Sequence, residues 1–215
     1  MKTLLVVFCF LMQAALAYEP LKIGELAFIN KNSILDDIAI KDECAYVAFR
    51  AGASMGIHVV DIKKKAKLVI DTTIPADDLN NLKIPAQTLF IQDNYLYALT
   101  NDAKLVIFQL VGNVPKFVSA IYLTNASNMR TNCIEIKILD GIAYLIASRN
   151  GLIAVDISDK KNPRIVWHSS DNLKCACDID ISSDYIYVTD KGEMARNLKK
   201  LFSMQFQLIK MLKKI

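Results

Sequence analysis

A single unit returns four times along this chain, and no other feature restricts its fold so tightly. Residues 38–48 read IAIKDECAYVA, 89–99 read LFIQDNYLYAL, 136–146 read IKILDGIAYLI and 179–189 read IDISSDYIYVT. Each has apolar residues at its first and third positions, then a polar turn, then an apolar residue followed by Tyr. The tyrosines are Tyr46, Tyr97, Tyr144 and Tyr187, spaced by 51, 47 and 43 residues. A period of this size marks a supersecondary unit that hides its apolar surface only by stacking on its neighbours.

Each unit reads as four short strands. Ile38 and Ile40 alternate with Ala39, as on a strand with one buried face. Lys41-Asp42-Glu43 supplies a turn, and the third unit uses Asp140-Gly141, a hairpin dipeptide. The strand carrying Tyr follows. A third strand is a nearly continuous apolar run, as expected of burial on both faces: Ile57–Ile62, Leu105–Leu110 and Leu152–Ile157. A fourth follows a lysine-rich or proline-containing turn, at Leu68–Ile70, Phe117–Tyr122 and Ile165–Trp167. An ordinary β-sandwich explains short alternating strands but not the threefold return of one strand order. The expected fold is all-β, a partial β-propeller of about three and a half four-stranded blades over residues 18–192. An array left open exposes strand edges, so self-association through them is expected.

The chain's first segment carries a targeting pattern. Lys2, the apolar run Leu4–Leu11 and the small residues up to Ala17 predict a signal peptide over 1–17, with Tyr18 the first mature residue. This places the protein on the secretory route. Four cysteines then remain, Cys44, Cys133, Cys175 and Cys177, which allows two disulfides in any of three connectivities. Asn125-Ala126-Ser127 is a candidate glycosylation site and implies a surface loop.

From residue 193 the period changes. Leu198, Leu201, Phe202, Leu208, Ile209, Leu212 and Ile215 fall on one helical face, predicting a basic amphipathic helix over 193–215. That tail holds six basic residues and one acidic, against a net charge of +4 for the whole chain, so the remainder is slightly acidic. Peripheral contact with an anionic membrane through 194–215, or a cap on the last blade, fits such a helix. No basic surface outside the tail points to nucleic acid.

No catalytic constellation with workable spacing is visible, and no cofactor or metal is expected. His58 lies inside an apolar strand and reads as a core or edge histidine; His168, after Trp167, reads as a loop residue. Asp36-Asp37 and Asp77-Asp78 read as solvated or capping groups rather than a calcium site. Asp61 and Asp156 take the same place in two units, which fits a turn-stabilising role.

One segment resembles a known family. Gly151-Leu152-Ile153-Ala154-Val155-Asp156-Ile157-Ser158, followed by Asp159-Lys160-Lys161-Asn162-Pro163, looks like the LVIVD repeat. Gly56–Ile62 keeps the core of that pattern without the Asn-Pro turn; the second unit departs at Gln109, and the fourth matches through Tyr187–Asp190. The resemblance runs from about residue 34 to 190 and implies a β-propeller with no particular activity. The function expected is a non-enzymatic secreted or cell-surface binding or scaffold module with an unknown protein or extracellular ligand. Two alternatives stay open: a fragment of a propeller enzyme lacking its catalytic blades, and a membrane-surface protein acting through its C-terminal helix.

Overall fold

A computed structural model describes residues 34–51, 54–63, 69–75, 85–147, 150–169, 173, 176–182, 185–190 and 209–213. Their strands form four antiparallel sheets in chain order. Blade 1 holds β1 (Ile34–Lys41), β2 (Cys44–Ala51), β3 (Ser54–Asp61) and β4 (Val69–Pro75). Blade 2 holds β5 (Ala86–Gln92), β6 (Tyr95–Thr100), β7 (Lys104–Val111) and β8 (Val114–Tyr122). Blade 3 holds β9 (Glu135–Leu139), β10 (Ile142–Ile146), β11 (Leu152–Asp156) and β12 (Arg164–His168). Blade 4 holds β13 (Ala176–Ile181), β14 (Tyr185–Asp190) and β15 (Ile209–Lys213). The first strands of successive blades lie beside one another, β1 by β5, β5 by β9 and β9 by β13. They form the inner edge of the array.

The strand period of two explains the stacking. Alternate residues of a strand point to opposite faces, and the second strand of each blade is apolar at both. In β6, Leu96 and Ala98 join Tyr46, Ala48, Ile57 and Val59 of blade 1 in one core layer. Tyr97 and Leu99 point the other way, into a layer with Ala143, Leu145, Ile153 and Val155 of blade 3. Tyr144 and Ile146 then meet Ile179, Ile186 and Val188 of blade 4. Tyr46, Tyr97 and Tyr144 thus perform one task, each filling the layer towards the following blade, and all three are fully buried. Their registers agree: Tyr46 opposes Ala39 and Val59, Tyr97 opposes Phe90 and Ile107, and Tyr144 opposes Lys137 and Ala154.

Turns and clasps complete each blade. Asp42, Asp93 and Asp140 open the first hairpin of blades 1 to 3 with φ of 53°, 53° and 50°. Asp tolerates this left-handed conformation better than most residues. Gly112-Asn113 turns the last hairpin of blade 2 with both φ positive, matching the strand twist. That turn also receives blade 1, because the Tyr46 hydroxyl donates to the Asn113 carbonyl at 3.0 Å. Lys41 Nζ donates to the Asp93 carbonyl at 2.5 Å, and Ser119 Oγ donates to the Lys160 carbonyl at 2.6 Å. Polar contacts therefore seal the rims of the apolar layers.

Two expectations change. The fourth blade has three strands among the described residues, not two. Its third comes from the tail: Ile209–Lys213 is a strand antiparallel to β14, with Met211 opposite Tyr187. The amphipathic helix over 193–215 is therefore wrong for residues 209–213. A five-residue piece next to an unpaired strand edge satisfies more backbone groups by joining the sheet than by forming little more than one helical turn. Residues 193–208 and the signal peptide 1–17 lie outside the described residues.

Because Tyr46 has both an apolar contact layer and a hydroxyl bond, the two are separable. Tyr46→Phe is expected to cost about 1 kcal/mol, and Tyr97→Ala about 3–5 kcal/mol. Urea unfolding followed by tryptophan fluorescence measures both.

Candidate functional site: the inner edge of the blades

The residue immediately before each repeated segment is Asp37, Thr88, Glu135 or Asp178, one on the innermost strand of each blade. The registers make them equivalent, opposite Ala48, Leu99, Ile146 and Thr189. In blades 1, 2 and 4 a β-bulge precedes this residue, between Leu35 and Asp37, Ala86 and Thr88, and Ala176 and Asp178. A bulge re-aims the side chains beside it. Here it brings a polar side chain to the same place on each inner strand.

Several of these groups are tied to the framework. Asp37 Oδ1 accepts from the Ile38 amide at 2.8 Å, and its Oδ2 accepts from the Leu89 amide of blade 2 at 2.7 Å. Thr88 Oγ1 donates to the Ile134 carbonyl at 3.1 Å, just ahead of blade 3. An innermost strand has one edge without a partner strand, and such side chains satisfy part of it. Asp178 Oδ1 accepts from the amide of its own neighbour Ile179 at 2.8 Å, and Asp178 is exposed. Burial pushes the Glu135 carboxyl above its ordinary range. The Ile136 amide and Lys137 oppose that push, while the negative charges of Asp178 and Asp37 add to it. The charges of Asp37 in blade 1 and Asp178 in blade 4 thus both reach Glu135 in blade 3.

The loop joining blades 2 and 3 leads from the outer strand β8 to the inner strand β9, which carries Glu135. Thr124 pairs with Arg130, and Asn125 Oδ1 accepts from the amides of Ser127 and Met129, both at 3.0 Å. Residues 126–130 are exposed, with Met129 at 61%. Arg130 stacks over the Tyr122 ring, 3.7 Å from its centroid. The expected surface loop around Asn125 is thus present.

The remaining candidates have structural posts. Asp36 holds Arg50 through two bonds of 2.6 Å, so Asp36 and Asp37 are both engaged in the framework. Asp77-Asp78 lies outside the described residues. Asp61 and Asp156 do the same work: each Oδ1 accepts the amide two residues on, Lys63 at 2.8 Å and Ser158 at 3.0 Å. Asp156 Oδ2 adds Arg164 at 3.0 Å. His58 stacks on Phe49 at 3.9 Å between centroids, and burial lowers its pKa. His168 ends strand β12 rather than sitting in a loop, with Nε2 2.8 Å from the Thr124 carbonyl oxygen. Among the described residues no group of three or more His, Cys, Asp or Glu has the arrangement of a metal site.

The expected disulfides do not form among the described cysteines. Cys44 lies in the layer between blades 1 and 2, Cys133 in that between blades 2 and 3, and Cys177 at the bulge of β13. A bridge needs Cβ atoms about 4 Å apart, and separate layers do not offer that. Cys175 lies outside the described residues. Burial pushes the Cys133 thiol up to about 12.

The geometry defines a class: four antiparallel blades side by side in a partial, propeller-like array, with polar groups along the inner edge. The LVIVD repeat family matches at residues 133–168 and 175–195, covering blade 3 and the described start of blade 4. The chain thus carries LVIVD-type repeat sequence in its third and fourth blades. Among solved structures it is similar to the crystal structure of the computationally designed Ika4 protein, with a TM-score of 0.52 and 12% identity over 80% of this chain and 94% of that one. At that identity the likeness concerns the fold alone. No curated protein matches the chain.

Asp156 has a folded pKa lowered to about 2, first by the Ser158 hydroxyl and amide and then by Arg164. Its ionised form is the one the turn holds. The contribution to stability is complete above the unfolded Asp range, around 4, and is lost as pH falls through about 2. Carboxyl NMR titration of the folded protein checks the midpoint. Cys133 is expected to resist iodoacetamide at pH 8 until the protein is unfolded, as read by peptide mass mapping.

Proposed function

We propose that this protein is a non-enzymatic binding or scaffold module that travels the secretory route. The observation that carries the reading is the use of the inner-edge polar groups. Asp37 and Thr88 tie one blade to the next, which stiffens the array, while Glu135 and exposed Asp178 keep carboxylates on the inner edge, next to exposed Ile134. Rigid blades holding loops in fixed positions are a surface for recognition, with no bond made or broken.

Charge and exposure name the ligand class. A protein or peptide segment presenting basic and apolar groups complements Glu135, Asp178 and Ile134. The secretory reading draws support from the signal-like residues 1–17 and from the sequon Asn125, whose loop is exposed. The membrane reading of the tail loses support where residues 209–213 join blade 4 as a strand.

Two measurements test the proposal. Expressed with its own N-terminus in secreting animal cells, the protein is expected in the medium, carrying a glycosidase-sensitive mass that Asn125→Gln removes. Retention in the cytosol overturns the secretory reading. On arrays of short peptides varied in charge and hydrophobicity, binding is expected to favour basic-apolar sequences. It is expected to fall about ten-fold in the Glu135→Gln, Asp178→Asn double variant with its circular dichroism unchanged. Equal binding by the double variant overturns the assigned surface.

A further inference from the structure

The two ends of the row of blades present faces that the blades between them bury. At each internal boundary, two residues from the inner strand of the later blade meet the tyrosine-bearing strand of the earlier one. Leu89 and Ile91 of blade 2 pack in the layer of Tyr46, Ile136 and Ile138 of blade 3 in that of Tyr97, and Ile179 and Ile181 of blade 4 in that of Tyr144. Ile38 and Ile40 hold these places in blade 1, and they are 56% and 60% exposed. Leu35 extends the same face, because Leu35, Ile38 and Ile40 stand opposite Phe49, Val47 and Ala45, alternate residues of β2. Ala45, Val47 and Val60 of that face are buried, so the open ground is the inner strand β1.

Blade 4 ends on the complementary face. The residue two before each repeated tyrosine is Cys44, Tyr95, Ile142 or Tyr185. The first three pack towards the following blade. Tyr185 is 40% exposed, and Tyr187, whose counterparts are fully buried, is only half-buried. Their rings stand 6.5 Å apart between centroids. Asp180, opposite Tyr187, takes the place that half-buried Lys137 holds opposite Tyr144, so a charge at this position fits a layer between blades.

We propose that the blade 4 face carrying Tyr185 and Tyr187 packs on the Leu35, Ile38 and Ile40 face of blade 1 in a second copy of the chain, and reciprocally, closing two chains into one ring.

The three internal boundaries argue for this occupant. Each matches a face of the tyrosine-bearing strand to an Ile or Leu face of the next inner strand, and the two ends are the same pair of faces left unmatched. Repeats hold together through nearest-neighbour contact, so the surface that complements blade 1 is the one blade 4 offers. Among the described residues these ends stay apart within one chain: β1 lies beside β5 and β13 beside β9, and Ile38 and Tyr185 are uncovered. A contact between unlike faces builds a ring where the rotation closes and a filament where it does not. Two copies of a four-bladed chain reach the upper end of the usual closed propeller, which has about four to eight blades. A third copy exceeds it, so the ring closes at two.

Light scattering after gel filtration of the full chain tests the proposal, and is expected to give twice the chain mass at micromolar concentration. Ile38→Lys and Tyr185→Lys are each expected to elute as monomers with circular dichroism unchanged. Mixing the two variants is expected to restore a dimer, because the intact blade 4 of the first meets the intact blade 1 of the second. A monomeric unaltered chain overturns the proposal, as does an assembly that grows beyond two copies. A dimer that survives Tyr185→Lys, as a contact between two blade 1 faces would, or a mixture that stays monomeric, overturns it equally. Should a lysine variant fail to fold, Ile38→Ala and Tyr185→Ala are each expected to weaken the dimer about ten-fold, read by sedimentation. An unchanged dissociation constant in those variants overturns the pairing of faces.

Discussion

Apolar contact between neighbouring blades, made on both faces of the same strands, is the constraint from which the rest of this structure follows. A strand in the middle of a blade has no wet face. β6 gives Leu96 and Ala98 to one layer and Tyr97 and Leu99 to the next. β10 divides in the same way between Ala143 and Leu145 on one side and Tyr144 and Ile146 on the other. No blade can therefore be stable alone, because each exposes two apolar faces until both neighbours arrive. Polar chemistry is pushed to the three places that the layers do not use: the hairpin turns, the outer strands and the inner edge.

This division explains which functional features can exist. Along the inner edge the first strands of all four blades lie side by side, and an innermost strand has one edge without a partner strand. Asp37 and Thr88 resolve that conflict structurally, by bonding to the next blade. Among the described residues, Glu135 and Asp178 accept from their adjacent amides, Ile136 and Ile179. The candidate site is thus what remains after the framework has taken the polar groups it needs.

Much of this was legible from the residues. The tyrosine spacing marks the second strand of every blade, and the polar turns ahead of it fall at Asp42, Asp93 and Asp140, the positions where φ is positive. The matching places of Asp61 and Asp156 point to a shared turn role, which their bonds to Lys63 and Ser158 confirm. The inner-edge ring was overlooked, although its signal is present: a polar residue directly precedes each aligned segment. Sequence periodicity misses it because a bulge shifts the alternation at that point in three of the blades. The tail was misread for a different reason. The pattern over Leu208–Leu212 is compatible with a helix or a strand, and only the unpaired edge of β14 decides between them. Even cysteine parity misled, because an even count says nothing about which layer each residue enters.

The uneven strength of the repeat has the same physical root. The LVIVD repeat family matches at 133–168 and 175–195, yet blades 1 and 2 have the same strand order as blade 3. Blade 2 has lost the aspartate after its third strand, where Gln109 stands opposite Lys116. It turns its last hairpin instead with Gly112-Asn113, both left-handed, and needs no carboxylate to hold a longer loop. What the stack demands of a blade is two apolar faces of matching shape and a turn that closes. The identity of the turn residues is free so long as the backbone is satisfied. Nearest-neighbour stacking therefore lets the motif erode blade by blade while the architecture persists, with Tyr46, Tyr97 and Tyr144 retained because each fills a layer that two blades share.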